Sequence, residues 1–381
     1  MRDFSFSVPQ DVVFGKGSLN KIPEMVKKLG SRKVFIISGP NLFKMGTVKK
    51  ITDILDTAEI PYDIFTDVEA NPSTKTVSVC TEAFIASGAD SIIAFGGGSP
   101  MDVAKAVGIT AKYGGSISEY EGAHKVPGKI FPLIAIPTTA GTGSEVTAFT
   151  VITDKSRNYK LTVFSYELIP SYAVLDPELI MSLPASIAAA TGVDALVHAI
   201  EAYLSKISSP FSDALAEKAI ELIGKNIRLF TADRGNEAAA SAMLNGSMLA
   251  GIAFAWARLG NVHAMAHPVS GYFGTAHGVA NAILLPVVLE YNALADEGRY
   301  EKIYNLIKGV SSEKCFEPSM LVEEIRELTK SLGIPQTLSE VGVTEDKIPE
   351  MAVDAMKSGN IAVNPRQSTI KDIEALFRKA L

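Results

Sequence analysis

The stretch DSIIAFGGGSPMDVAKAVG, residues 90–108, decides how the first half of this chain folds. Residues 90–95 form a short β-branched run that reads as a strand. Gly96, Gly97 and Gly98 allow close backbone approach; Ser99 suits a helix cap, Pro100 the first helical position, and Asp102 faces the free N–H groups of a first turn. A strand that passes through glycines into a helix aims amide donors and the positive end of the helix dipole at an anion, typically a pyrophosphate. Three glycines after a strand also suit a plain tight turn, and the stretch is not the G-x-G-x-x-G fingerprint of dinucleotide sites.

The same rhythm repeats on either side. KVFIISG (33–39) predicts a strand, 41–58 an amphipathic helix, YDIFTDV (62–68) a strand and 73–87 a helix. Alternation of this kind predicts a mostly parallel sheet covered by helices. PLIAIPTT (132–139) leads into PTTAGTGSEVT (137–147), a second Gly/Thr/Ser-rich loop after a strand. Two such loops at strand C-terminal ends strengthen the nucleotide reading. AFTVITD and YKLTVF, separated by KSRN, read as a hairpin, and YAVLDP closes the strand-rich half.

From Pro184 onward Ala-rich patterns of period 3.6 take over: ASIAAATGVDALVHAIEAYL, DALAEKAIELIGKNI, AAASAMLNGSMLAGIAFAWA and further helices to Leu381. Ser182 is a candidate N-cap with Pro184 in the first turn. The boundary is therefore set between an α/β domain, 1–182, and a helical domain, 183–381.

Composition narrows the function. The chain has 381 residues, long enough for two cores, and 20% of them are charged against 47% apolar, which excludes a disordered chain. A net charge of -6 lacks the basic excess that phosphate-backbone binding demands, so nucleic acid is not expected as a partner. Cys80 and Cys315 match no metal or redox spacing and read as reduced thiols, which suits a cytoplasmic protein. The N-terminal residues, with Asp3 early and no apolar run, argue against a cleaved signal, which is not expected. Two uncharged runs, 238–257 and 259–289, are long enough to span a bilayer, but their Asn, Ser, Pro and His residues favour buried core helices, so no membrane partner is expected.

Three of the five histidines fall in GNVHAMAHPVSGYFGTAHG, 260–278, without one charged neighbour. Asp194 and His198 stand at i and i+4 in TGVDALVHAIE, so both leave one helical face. His263 and His267 repeat that spacing and His277 follows ten residues later. One carboxylate and three imidazoles suit Fe(II) or Zn(II). Taken singly, each histidine is equally a satisfied core residue.

DALVHAIEAY, GNVHAMAHPVSGYFGTAHGVANAILLP, GGGSPMDVAKA and IPTTAGTGSEVT together resemble the iron-containing (group III) alcohol dehydrogenases, from about residue 4 to the C-terminus. The resemblance implies a dehydroquinate synthase-like fold, with an N-terminal nucleotide-binding parallel-sheet domain and a C-terminal helical metal-binding domain. It implies hydride transfer between NAD(P)(H) and a small primary alcohol or aldehyde. Carried onto matching positions, it makes Asp194, His198, His263 and His277 the metal ligands, for Fe(II) with Zn(II) as competitor. His267 matches a histidine near the nicotinamide that is not itself a ligand and is suited to relaying the alcohol proton. Asn71, Gly97, Gly98, Ser99, Thr138, Thr139, Thr142 and Lys160 are implied cofactor contacts, although Lys160 also reads as a solvated hairpin lysine. Phe149 and Phe254 fall at substrate-side positions, and a homodimer or higher homo-oligomer is expected.

Two departures matter. NAD-preferring members commonly carry Asp where this chain has Gly39, so NADP(H) is expected to be preferred, with NAD(H) also used. AFAWARLGNVH places Trp256, Arg258 and Asn261 just before His263. On a continuous helix Arg258 would point roughly 140° away from His263, which favours a helix-end ion pair. The competing reading is a short anionic aldehyde, a semialdehyde or sulfonated aldehyde, gripped by Arg258. A dehydroquinate-synthase-like lyase is disfavoured because residues 184–290 hold few bases for a phosphorylated carboxylate: Lys206, Lys218, Lys225, Arg228, Arg234 and Arg258. A non-catalytic metal- and nucleotide-binding protein is disfavoured because every expected ligand is present.

Overall fold

The computed structural model describes residues 4, 6, 8, 10–157, 159–311 and 315–381. Its backbone packs as two units, which change over between Leu179 and Ile180; Phe4, Phe6 and residues 140–143 pack with the helical unit. The sequence-based boundary, 182/183, stands three residues further on and does not separate these short segments.

The α/β unit is built on six parallel strands in the order β1-β9-β6-β4-β2-β3. These are β1 (Asp11–Phe14), β2 (Val34–Ser38), β3 (Tyr62–Phe65), β4 (Ser91–Gly96), β6 (Leu133–Pro137) and β9 (Tyr172–Leu175). Alternation along each strand supplies both faces. Phe35, Ile37, Ile92, Ala94, Leu133 and Ala135 pack with Val77, Cys80 and Phe84 of α4 (Thr74–Ser87) and Met101 and Val103 of α5 (Gly98–Tyr113). Val34, Ile36, Ile93, Phe95, Ile134 and Ile136 pack with Ile22 and Met25 of α1 (Ile22–Lys28) and Ile51 and Leu55 of α3 (Lys49–Thr57). Burial of every residue in β2, β4 and β6 is what parallel strands covered on both sides require. A second sheet has β7 (Phe149–Asp154) antiparallel to β8 (Tyr159–Phe164), the expected hairpin, with β5 (Gly122–Ala123) beside it.

Local readings differ at three places. The strand β1, too short to show a period, was not foreseen. The helix expected over 41–58 is two, α2 (Pro40–Lys44) and α3, because Gly46 takes φ 72° and its N–H and that of Thr47 close back on Phe43 and Leu42. Ser182 does not cap: Pro184 is the N-cap residue, with Ile187 and Ala188 donating to its carbonyl.

The helical unit holds α6 (Ala185–Leu204), α7 (Pro210–Ala232), α8 (Glu237–Ala257), α9 (Asn261–Phe273), α10 (His277–Asn292), α11 (Arg299–Lys308), α12 (Pro318–Ser331), α13 (Ile348–Met356) and α14 (Ile370–Ala380). Three of its segments, Ala185–Leu204, Glu237–Ala257 and His277–Ala295, are long and apolar enough to cross a bilayer by length and composition. α6 is instead a core helix, buried from Ala188 to Leu204 save Thr191, which explains why its pattern is apolar all round.

Candidate active site

Three helices of one unit bring the acidic and histidine residues together. Asp194 and His198 occupy successive turns of α6, His263 lies in the first turn of α9, and His277 opens α10. The break between α9 and α10 is made by Gly274, left-handed at φ 67°, whose N–H caps Ser270. Gly278 then lets α10 start against α6: a Cβ there would lie 2.2 Å from the carbonyl oxygen of Ala190. As a result one carboxylate oxygen of Asp194 and one ring nitrogen each of His263 and His277 lie within 4.8 Å of one another.

His198 adjoins this group with its ring stacked on His263, centroids 4.5 Å apart, and equally on Phe254 at 4.5 Å. Its Nδ1 faces the carbonyl oxygen of Gly141 at 3.2 Å. His267 is half-buried, its ring 5.3 Å from that of His277. Two residues that the sequence reading passed over complete the cluster. Asn281, one turn after His277, places Nδ2 2.6 Å from Asp194 Oδ1, 3.1 Å from His263 Nε2 and 3.2 Å from His277 Nε2. Glu201, buried, meets His263 Nδ1 at 2.6 Å with Oε2.

Burial disfavours the charged form of Asp194, but His198, His277 and His263 outweigh it and hold the carboxyl far below its usual range. Burial pushes His198 down, only partly offset by Asp194. Burial acts the same way on His263, yet hydrogen bonds to Asp194 and Glu201 prevail and its affinity for a proton rises. The cluster therefore has a net attraction for positive charge in a dry setting. Asn281 Nδ2 stands within 3.2 Å of one carboxylate oxygen and of one ring nitrogen each of His263 and His277, and that mixed O/N set fits Fe(II) or Zn(II).

In the α/β unit, the register of the sheet gathers the loops. Ser38 lies beside Phe95 and Gly96 beside Pro137, so the C-terminal ends of β2, β4 and β6 stand in a row. Gly39, Gly97, Gly98, Ser99, Thr138 and Thr139 follow those ends, and Thr138 N–H donates to Gly96 O at 2.9 Å. Gly97 is tightly placed: a Cβ would come 3.2 Å from Thr139 Oγ1, which would have to give by a few tenths of an ångström. Lys160 of β8 donates to Asn71 Oδ1 at 2.6 Å, and Asn71 is left-handed at φ 53°. Thr142 packs with the helical unit. The glycine-flanked start of a 16-residue helix is a cradle of the kind an anionic diphosphate fills.

Details of that loop correct the sequence reading. Gly97, not Ser99, is the N-cap, so Ser99 and Pro100 lie inside the first turn, where the missing proline N–H has no helical partner to lose. Asp102 does not serve the helix amides: its carboxylate accepts from Ser144 Oγ at 2.8 Å and Val151 N–H at 3.1 Å. Beside it Lys105, fully buried, donates to Ser144 Oγ, Thr147 O, Thr147 Oγ1 and Phe149 O. Burial lowers Lys105 to about 8 and raises the neighbouring Glu145 to about 7.

The remaining candidates separate. Phe149 packs on Phe164 of the hairpin, centroids 4.8 Å apart, whereas Phe254 belongs to the histidine cluster. α8 stops at Ala257 and Arg258 is the residue after it, exposed, at φ 58° and ψ −172°, so its direction from His263 does not follow helical rotation. Asn261 donates to Ser368 Oγ at 2.8 Å and is a structural contact at the start of α9. The overlooked Glu201 had a signal: with Asp194 it is one of two charged residues in an otherwise apolar α6.

Comparison with known proteins places the chain in a family. Residues 9–177 match the family described as iron-containing alcohol dehydrogenase, and 188–381 match the C-terminal part of the Fe-containing alcohol dehydrogenase family. The chain is 39% identical to the 1,3-propanediol dehydrogenase of Klebsiella pneumoniae over 100% of its own length and 99% of that protein's. It is 34% identical to the NAD-dependent methanol dehydrogenase of Bacillus methanolicus, covering 99% of this chain and 100% of that one. The crystal structure of a 1,3-propanediol oxidoreductase superposes with a TM-score of 0.96 at 38% identity, each chain covered completely.

Proposed function

This chain belongs to the iron-containing alcohol dehydrogenase family, and from that premise we propose that it interconverts a small primary alcohol and its aldehyde, with Asp194, His198, His263 and His277 holding a divalent ion. The observation that carries the reading is the convergence of Asp194, His263 and His277 within 4.8 Å in a buried setting. An ion held by these residues would supply Lewis acidity. A nicotinamide cofactor, when bound, would supply the hydride chemistry.

The chain's own residues do the rest. Burial of Asp194 and His263 strips water from the ligand atoms, so a charge developing on a substrate oxygen is poorly screened. Phe254, stacked on His198, gives the cluster an apolar flank that suits an alkyl substituent of a few carbons. His267, half-buried and one ring contact from His277, takes the alcohol proton outward. The glycine-lined start of α5, Thr138, Thr139 and the Lys160–Asn71 pair hold the cofactor.

The reading extends to cofactor preference. Gly39 offers no carboxylate to a ribose hydroxyl and none to repel a 2'-phosphate, which supports use of NADP(H), preferred over NAD(H).

One experiment tests the core of the proposal. Turnover of short aldehydes with NADH and NADPH is measured before and after chelation, then after adding Fe(II) or Zn(II), in wild type and His263→Ala. Loss on chelation, recovery with Fe(II) at least equal to that with Zn(II), and an inactive variant are expected. Full activity of metal-free His263→Ala would overturn the site.

A further inference from the structure

We infer that Glu201 is a positioning residue that prepares His263 for metal: its carboxylate takes the Nδ1–H of the imidazole and leaves Nε2 as the ligand atom. This rests on the metal reading above and adds to it a residue outside the ligand set.

The geometry is specific. Glu201 lies on α6 two turns after Asp194 and reaches the start of α9, where Oε1 accepts the Val262 N–H at 2.7 Å and Oε2 lies 3.4 Å from the His263 N–H. The same Oε2 lies 2.6 Å from His263 Nδ1. With the Val262 and His263 N–H groups donating to it, the Glu201 carboxylate stands as an acceptor at the start of α9. A neutral imidazole carries one N–H and one lone pair, so a proton held at Nδ1 puts the lone pair on Nε2. That is the nitrogen 3.7 Å from Asp194 Oδ1 and 3.1 Å from Asn281 Nδ2, inside the cluster.

Two further features separate this from ordinary helix capping. Gly260 makes room, since a Cβ there would fall 2.9 Å from Glu201 Oε1 and 2.9 Å from Asn364 Oδ1. A capping role alone is served by Ser, Asp or Asn next to the helix, without burying a carboxylate from another helix. His198, by contrast, has a backbone carbonyl opposite its Nδ1. The outer nitrogen of His263 thus meets a carboxylate where that of His198 meets a backbone carbonyl. Partners of this kind fix ring orientation and tautomer and raise ligand basicity.

The test uses the full-length protein. Zn(II) affinity is measured by chelator competition in wild type and Glu201→Gln, and the ring nitrogens of zinc-loaded, 15N-histidine-labelled wild type are observed by NMR. Glu201→Gln keeps the shape but turns an amide toward Nδ1. It is expected to bind Zn(II) about 10- to 100-fold more weakly, while His263 in loaded wild type keeps a proton on Nδ1. Equal affinity in the two proteins, with circular dichroism showing both folded, would overturn the inference and leave the metal site standing. No binding by wild type would remove both. Should Glu201→Gln not fold, the spectrum decides: a His263 protonated on Nε2 refutes the role.

Discussion

Gly278→Ala tests whether close approach of α10 to α6 sets the ligand spacing. The added Cβ would sit 2.2 Å from Ala190 O, 2.7 Å from Ala190 C and 3.3 Å from Asp194 Cβ. Carbon-to-oxygen contacts close at about 3.3 Å, so one helix must retreat by about 1 Å. The atoms in the way are backbone of α6 one turn before Asp194, and the residue that moves is the neighbour of His277. No flexible side chain absorbs the change. Ala in a helix is worth about 1 kcal/mol over Gly, and forcing a methyl into a packed contact costs about 1–3 kcal/mol or more. The net expectation is a metal-free protein less stable by up to about 2 kcal/mol. The larger effect falls on the proposed metal site, because its candidate donor atoms within 4.8 Å are pulled apart by a shift of that size. Thermal unfolding is followed for wild type and variant, stripped of metal and with added Zn(II). The rise in Tm on metal addition follows the ratio of free metal to Kd, and it should shrink strongly in Gly278→Ala. A variant whose stripped Tm equals or exceeds wild type, with an undiminished rise on metal addition, would refute the packing argument.

Three other outcomes are expected. Burial raises the Glu145 carboxyl to about 7, so its contribution to stability is full below its ordinary value near 4.5 and is lost as pH rises toward 7; Glu145→Gln should gain on wild type by about 1–3 kcal/mol across that window, and Tm-versus-pH curves that stay parallel would contradict it. Over the same range Lys105, lowered to about 8, stays protonated and does not mask the change. Gly39→Asp should shift kcat/KM from NADPH toward NADH; the backbone accepts it, since φ is −96° and the Cβ would lie 3.4 Å from Val68 O, and a wild type strongly selective for NADH would count against the reading. Arg258 occupies a backbone region proper to glycine, so Arg258→Gly should stabilise by about 1 kcal/mol and leave the ratio of kcat/KM between propanal-like and anionic aldehydes unchanged; a selective loss on the anionic substrate would make Arg258 its anchor.

Much of this arrangement is visible in the sequence because it is written in helical and strand periods. The short apolar runs in KVFIISG and DSIIAF, set between helical patterns, predict strands of a parallel sheet covered on both faces, and the sheet packs Val34 and Ile36 to one side, Phe35 and Ile37 to the other. The i,i+4 spacing of Asp194 and His198 puts them on one face of α6 as expected. What the sequence hides is set by single residues that end a period. Gly46 divides one expected helix into two, and the left-handed Arg258 ends α8, so an angle reckoned along a continuous helix no longer applies.

The two overlooked members of the histidine cluster show how the reading can be extended. Seven residues bring a helix back to within about 20° of its starting direction, so Glu201 shares the face of Asp194; Asn281 stands one turn from His277. Both are polar residues set in apolar helices, and a buried polar group needs a partner. The partner of Glu201 is His263 across the α6–α9 contact, and that of Asn281 is Asp194 across the α6–α10 contact. Periodicity names the face on which a buried polar side chain lies, while its partner depends on which helix packs there. In an apolar helix that carries a candidate metal-binding side chain, every further polar residue on the same face is thus a candidate for orienting that side chain or its neighbour, the role inferred above for Glu201 toward His263.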